Sequence, residues 1–137
     1  MTDQTTRLVL PSHIEAVAEA AAAVASFAQN CGVGDEAAFG IDIAVREAVT
    51  NAIVHANNED DTKSIEVSFN CAGRALEIDV KDQGEGFDPA SVPDPTAPAN
   101  LLKTSGRGMF LIRNFMDEAQ WSSRPEGGTM LHMVKRF

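Results

Sequence analysis

The chain has 137 residues, a length that suits one domain around one core. Its 20 acidic against 11 basic side chains give a formal net charge of −9, which argues against nucleic acid and against anionic membrane surfaces, since both call for a basic face. No apolar run nears the roughly 20 residues that span a bilayer, and Met1-Thr2-Asp3-Gln4 has neither the basic nor the apolar segment of a signal peptide.

These properties predict a single cytoplasmic domain over 1–137. An anionic nucleotide stays open as a ligand, because backbone N–H groups and a metal can hold one locally. Cys31 and Cys71 lack metal-ligand spacing and read as two reduced, partly buried thiols.

Arg7-Leu8-Val9-Leu10, closed by Pro11, predicts an edge strand. Ser12 and Glu15 have the spacing of a capping box ahead of a helix. Ile14, Val17, Ala18, Ala21, Val24, Ala25 and Ala28 repeat at helical spacing, and Gly32 is the expected C-cap glycine. A second helix is expected from Gly34 or Asp35 to about Asn57. Its apolar positions, Phe39 among them, run nearly all the way round, as in a buried helix. Glu47, Asn51 and His55 interrupt that surface at i, i+4 and i+8, on one stripe.

A polar turn over 57–63 follows. Ile65, Val67 and Phe69 alternate with polar residues, as do Leu76, Ile78 and Val80, with Ala72-Gly73-Arg74 as the hairpin between them. One face of that sheet is therefore packed and the other wet. From 88 to 104, Pro89, Pro93, Pro95 and Pro98 break every periodicity, which marks a lid or a disordered loop. Helical spacing returns over 108–117, and strands are expected at 119–122 and 129–137. The order predicts an α+β two-layer sandwich: a mostly antiparallel mixed sheet with helices on one face.

Three polar groupings carry chemistry. Glu47 and Asn51 sit one turn apart on a helix that is otherwise buried. Either both face solvent, or Asn51 offers an oxygen to Mg²⁺ on nucleotide phosphates while Glu47 orients or deprotonates an attacking hydroxyl or water. His55 either lies near those phosphates or ends the helix. Asp82-Gln83-Gly84-Glu85-Gly86 follows a strand but lacks the third glycine and the helix of a Rossmann turn. It is either an ordinary turn with an exposed acid or an adenine site. In the second case Asp82 accepts from the adenine amino group, and Gly84 and Gly86 admit the base and ribose. Gly106-Arg107-Gly108 opens a helix, whose N–H groups and dipole favour phosphate. Lys103, Thr104, Ser105 and Arg107 surround that point, although a flexible helix start reads equally from the same residues. Thr129, after Gly127-Gly128, either supports Asp82 through water or belongs to a plain hairpin. No P-loop motif occurs.

In this order the motifs resemble the GHKL ATPase superfamily: an N-box helix with Glu and Asn, a G1 box Asp-x-Gly-x-Gly, a lid, and a G2 box Gly-x-Gly. The resemblance covers Leu8 to Phe137. Glu-Ala-Val-Thr-Asn-Ala-Ile-x-His-Ala at 47–56 and Gly-Met-Phe-Leu-Ile-Arg-Asn-Phe-Met-Asp at 108–117 are similar to the anti-sigma factor serine kinases of sporulation and stress-response switches. The resemblance implies an ATP- and Mg²⁺-dependent protein-serine kinase. It would phosphorylate a STAS-domain anti-anti-sigma factor and sequester a sigma factor, and it would be a homodimer.

The implied roles are Glu47 as catalytic base and Asn51 as Mg²⁺ ligand, with Asp82 reading adenine and backed by Thr129. Gly84 and Gly86 would shape the pocket. Ser105, Gly106, Arg107 and Gly108 would hold phosphates under a lid over 88–105. Arg107 stands where many relatives carry an apolar residue. Two alternatives differ in class: a nucleotide-gated protein-binding module that transfers nothing, and an adaptor that keeps only the fold.

Overall fold

The computed structural model describes residues 5–57, 59–60, 62–84, 104–125 and 127–137, with the backbone alone at His55 and over 104–107. Strand β1 (Thr6–Pro11) is followed by helices α1 (Ala16–Asn30) and α2 (Asp35–Thr50) and a π-helical turn (Asn51–Ala56). Strands β2 (Ser64–Ala72) and β3 (Ala75–Lys81), helix α3 (Thr104–Phe115), and strands β4 (Glu118–Ser123) and β5 (Thr129–Arg136) complete the order.

The five strands form one sheet in the order β1-β2-β3-β5-β4, and every neighbouring pair is antiparallel. The expected mixed sheet is therefore antiparallel throughout. Strands β3 and β4 do run the same way, joined through α3, but β5 lies between them and pairs with both. This is a split βαβ unit with its parallel strands held apart.

The alternation read from the sequence positions the core. Ile65, Val67 and Phe69 of β2 and Leu76, Ile78 and Val80 of β3 are all buried, whereas the residues between them are half-exposed. Leu131 and Met133 of β5 extend that face under Val24, Ala44, Val45, Val49, Ile53 and Ile112 of the helices. Helix α2 lies between α1 and α3. It is not buried all round as expected: Phe39 is 64% exposed, because neighbouring helices cover only two of its flanks. Phe39 instead meets Phe115 of α3 edge-on at 6.2 Å. Gly40 beside it admits α3 closely, since a Cβ there would stand 3.0 Å from Phe115 Cδ1.

The ends of α1 divide the capping expectations. Its C-terminus closes as a Schellman motif: the Val33 N–H donates to Ala28 O at 3.1 Å, the Gly32 N–H donates to Gln29 O at 3.1 Å, and Gly32 has φ +87°. Its N-terminus overturns the capping box. Glu15 is the N-cap and makes no side-chain cap bond. Ser12 is fully buried, and its Oγ donates to Lys63 O at 3.0 Å and accepts from Asn57 Nδ2 at 2.8 Å. A buried hydroxyl with two partners in the core is lost to the helix end.

Asn57 is the second surprise. Expected at the head of a surface turn, it has 0% exposure. Its Nδ2 also donates to Ser64 O at 3.0 Å, and its Oδ1 accepts the Gln83 N–H at 2.9 Å. One amide thereby joins the exit of β1, the start of β2 and the exit of β3. The π turn delivers it there, since its own N–H reaches back five residues to Ala52 O at 2.9 Å.

Asn57→Ala should strand a buried hydroxyl, a carbonyl and an N–H together. Urea denaturation should show a loss of about 3 kcal/mol at unchanged slope. A change within 0.5 kcal/mol, the usual range for a surface substitution, would refute the hub.

Candidate active site

Strand β3 ends at Lys81, and the chain leaves the sheet as Asp82-Gln83-Gly84. Three walls fix this segment. On one side the Asp82 N–H donates to Thr129 O at 3.0 Å. In return Asp82 Oδ1 accepts the N–H groups of Thr129 and Gly84, each at 3.0 Å. Arg124 Nη1 donates to Asp82 O at 2.6 Å. Behind, Asn57 holds Gln83, and Gln83 Oε1 accepts the Ser64 N–H at 2.7 Å.

The contacts leave no room for side chains. A Cβ on Gly84 would lie 2.7 Å from the carbonyl carbon of Ala56, and one on Gly128 would lie 2.8 Å from that of Asp82. Gly84 and Gly128, far apart in sequence, are thus both needed where backbone meets backbone, and Gly128 also takes φ +91°.

Asp82 is 6% exposed, and its carboxyl is held above the ordinary carboxylate range. Burial is the main cause; the N–H groups of Gly84 and Thr129, with the charges of Arg124 and Lys63, pull the other way. Neither N–H engages Oδ2. Beside it, Thr129 Oγ1 is buried with no hydrogen-bond partner among the described residues. An acceptor under strain and an orphaned hydroxyl lie together where the sequence expects an adenine.

The second half of the site is on the helices. Asn51 begins the π turn, so α2 carries Glu47 and Asn51 at α-helical spacing on one face, and both are half-exposed. Across from them stands Gly108. A Cβ there would lie 2.9 Å from Asn51 Nδ2, 3.4 Å from Asn51 Oδ1 and 3.1 Å from Glu47 Oε2. The carboxylate and the amide therefore converge on the first turns of α3.

That helix starts at Thr104, four residues before the spacing suggests, so Gly106 and Gly108 lie within it rather than ahead of it. The backbone of Ser105, Gly106 and Arg107 forms its first turn, whose N–H groups have no intrahelical partner. Gly86, Lys103, the lid up to 103 and the side chains of Ser105 and Arg107 lie outside the described residues. So does the side chain of His55, whose position falls in the π turn, where α-helical spacing no longer applies. The residues that sequence reasoning missed are Asn57, Gln83 and Arg124: Arg124 donates to the Asp82 carbonyl, while Asn57 holds Gln83 and Gln83 holds Ser64, each through a backbone atom. The D-x-G spacing does not register such contacts.

Residues 10–135 match the family model described as the histidine kinase-like ATPase domain, and the chain belongs to that family. Within it, the chain is similar to the serine-protein kinase RsbW of Oceanobacillus iheyensis. The two are 30% identical over 132 residues, 92% of this chain and 82% of the relative. The anti-sigma F factor of the same organism is 33% identical over 133 residues, 95% and 90% of the two chains.

Among solved structures, the RsbU and RsbW domains of a Mycobacterium tuberculosis protein superpose with a TM-score of 0.71 at 19% identity. That match covers 97% of this chain and 32% of the other, so this chain spans about a third of that protein. A histidine kinase domain from Erythrobacter litoralis gives a TM-score of 0.57 at 18% identity over 92% and 61% of the chains. At such identities the solved structures establish the fold alone.

Two predictions come from this geometry. The raised carboxyl of Asp82 makes its ionised form a burden on the folded state. Stability tied to the protonated form is complete below the unfolded value of 3.8 and is lost as pH rises through the folded value. Asp82→Asn keeps an acceptor for both N–H groups and removes that burden. At pH 7 the ligand-free variant should melt no lower than the parent, and the difference should shrink below pH 4. A variant that melts well below the parent at pH 7 would contradict this.

Gly108→Ala should leave thermal stability nearly unchanged, since better helix propensity (~1 kcal/mol) offsets displacement of two flexible side chains. Calorimetric affinity for nucleotide should fall on the order of 10- to 100-fold, because Asn51 and Glu47 must move. Undiminished affinity would separate Gly108 from the site.

Proposed function

We propose that this chain is an ATP-dependent protein-serine kinase that acts as an anti-sigma regulatory factor in the cytoplasm, with 1–137 as one kinase unit. The observation that carries the reading is the convergence of Glu47 Oε2 and the Asn51 amide on Gly108, at 3.1 and 2.9 Å from the position of its absent Cβ. Family membership and relatives named serine-protein kinase and anti-sigma F factor support the same reading.

The residues present fit a magnesium nucleotide. Thr129 Oγ1, which has no partner among the described residues, and the Asp82 carboxylate suit the adenine amino group and a bridging water. Gly84 and Gly86 admit the base and ribose, and the first-turn N–H groups of α3, with Ser105, Gly106, Arg107 and Gly108, suit the phosphates. Asn51 is the residue to hold magnesium, which when bound neutralises phosphate charge and orients the γ-phosphoryl group.

Glu47 then faces the acceptor. Its carboxylate takes the proton of the substrate serine hydroxyl as the serine oxygen bonds to the γ-phosphorus and the bond to the β–γ bridging oxygen breaks. The products are phosphoserine and ADP. The helix N–H groups are fixed before reaction, so they stabilise charge without reorganising.

The substrate fitting this reading is a STAS-domain anti-anti-sigma factor, with a sigma factor as the alternative partner and a homodimer as the working assembly. Binding of unphosphorylated STAS partner displaces the sigma factor, and phosphorylation ends that competition.

The test uses the full chain, Mg-ATP and its STAS partner. Phosphoserine should form, and Glu47→Gln should slow its formation by about 10²- to 10⁴-fold. The Mg-ADP thermal shift should persist in that variant, at about 2.7 kcal/mol for ligand at 100 times Kd. Partner exchange driven by nucleotide without phosphoserine, equal in both proteins, would replace the kinase with a nucleotide-gated binding module. No thermal shift at millimolar nucleotide would favour an adaptor.

A further inference from the structure

We propose that Cys31 and Cys71 form a redox dithiol that closes to an intramolecular disulfide when it meets a low-molecular-weight disulfide such as glutathione disulfide. Cys31 is the C-cap residue of α1, and Cys71 is the last residue but one of β2. Both are free and half-exposed.

Three features bring them together. The ring of Phe27 meets that of Phe69 edge-on at 5.0 Å, 69° between planes. Cys31 follows Phe27 by four residues, on the same helix stripe, and Cys71 follows Phe69 by two, on the same strand face. Each cysteine therefore stands one step beyond an aromatic contact, along the same two elements and in the same direction. The two side chains are near enough for Cys71 to help raise the Cys31 thiol. Cys71 Sγ also has a weak contact with Gly73 O at 3.9 Å.

Closing the bond draws the sulfurs to about 2.05 Å. The residues that must turn are a helix C-cap and a strand end, where backbone yields most readily.

The exchange runs in two steps. Burial and the neighbouring Cys71 push the Cys31 thiol up to about 11. The thiolate of one cysteine attacks one sulfur of the oxidant and expels one glutathione thiolate. The other cysteine then attacks the protein sulfur of the mixed disulfide and expels the second glutathione, which takes up the proton of the attacking thiol. Two protein thiols are oxidised, and one disulfide is reduced to two thiols.

The bond closes a loop that contains all of α2, so it restrains the unfolded chain. Cys71 pairs with Leu76 and Glu66 pairs with Lys81, so the dithiol lies at the opposite end of the β2–β3 ladder from Asp82. The proposal therefore stands independently of the kinase reading.

The full chain is equilibrated with glutathione and glutathione disulfide at graded ratios, quenched in acid and alkylated. Peptide mapping should show both cysteines protected together, as a Cys31–Cys71 crosslink without bound glutathione. The oxidised chain should melt higher than the reduced one. Cys31→Ser should instead keep a glutathione adduct on Cys71 and lose the redox-dependent melting change. Two thiols that stay alkylatable, two independent adducts, or a crosslink between chains would each overturn the proposal.

Discussion

The site depends on a close passage of backbone against backbone at the end of β3. The Asp82-Gln83-Gly84 segment runs between the Ala56 carbonyl and the entry to β5, with no space for a Cβ on Gly84 or Gly128. Such proximity buries peptide groups that must find partners. They find them in one another: the Asp82 N–H donates to Thr129 O, and the Asp82 side chain accepts the N–H groups of Thr129 and Gly84. The acid is held so rigidly because it replaces a stretch of sheet ladder.

The helix layer meets the same constraint from the other side. An α-helix continued past Thr50 would follow its own period. The π turn over Asn51–Ala56 shifts that winding and sets the Ala56 carbonyl against Gly84 and the Asn57 amide against Gln83. One irregular turn therefore relates Asn51, which faces α3, to Asn57, which anchors Gln83. The two halves of the site share one element, so their spacing is fixed by covalent structure as well as by packing. Helical irregularities of this kind cluster where geometry must serve a site.

Much of this was legible in the sequence. Alternation over Ile65–Phe69 and Leu76–Val80 placed both strands and their buried faces, because a half-buried sheet writes a period of two. Glu47 and Asn51 stood out as polar residues on an apolar helix, and Gly84 and Gly108 as glycines at element ends. What stayed hidden shares a cause. Ser12 has the local pattern of a cap, but a partner 45 residues away, Asn57, claims its hydroxyl. Asn57 has turn composition and core burial. The π turn leaves no compositional mark, and Phe39 is apolar yet exposed because cover depends on neighbouring helices. Local pattern reports local preference; these residues answer to long-range contacts.

The ligand-free site also contains two unresolved costs, and both bear on what it is for. Burial raises the Asp82 carboxyl above its ordinary range, and Thr129 Oγ1 is buried without a partner among the described residues. Each cost falls when a donor reaches the carboxylate and a polar atom reaches the hydroxyl, so a fitting ligand relieves strain that folding alone leaves in place. A net charge of −9 does not exclude the proposed phosphate site. Oriented N–H groups at the first turn of α3 would act over a few ångströms, whereas exposed acidic charge farther off is screened. Local dipoles would therefore decide at such a site what net charge opposes.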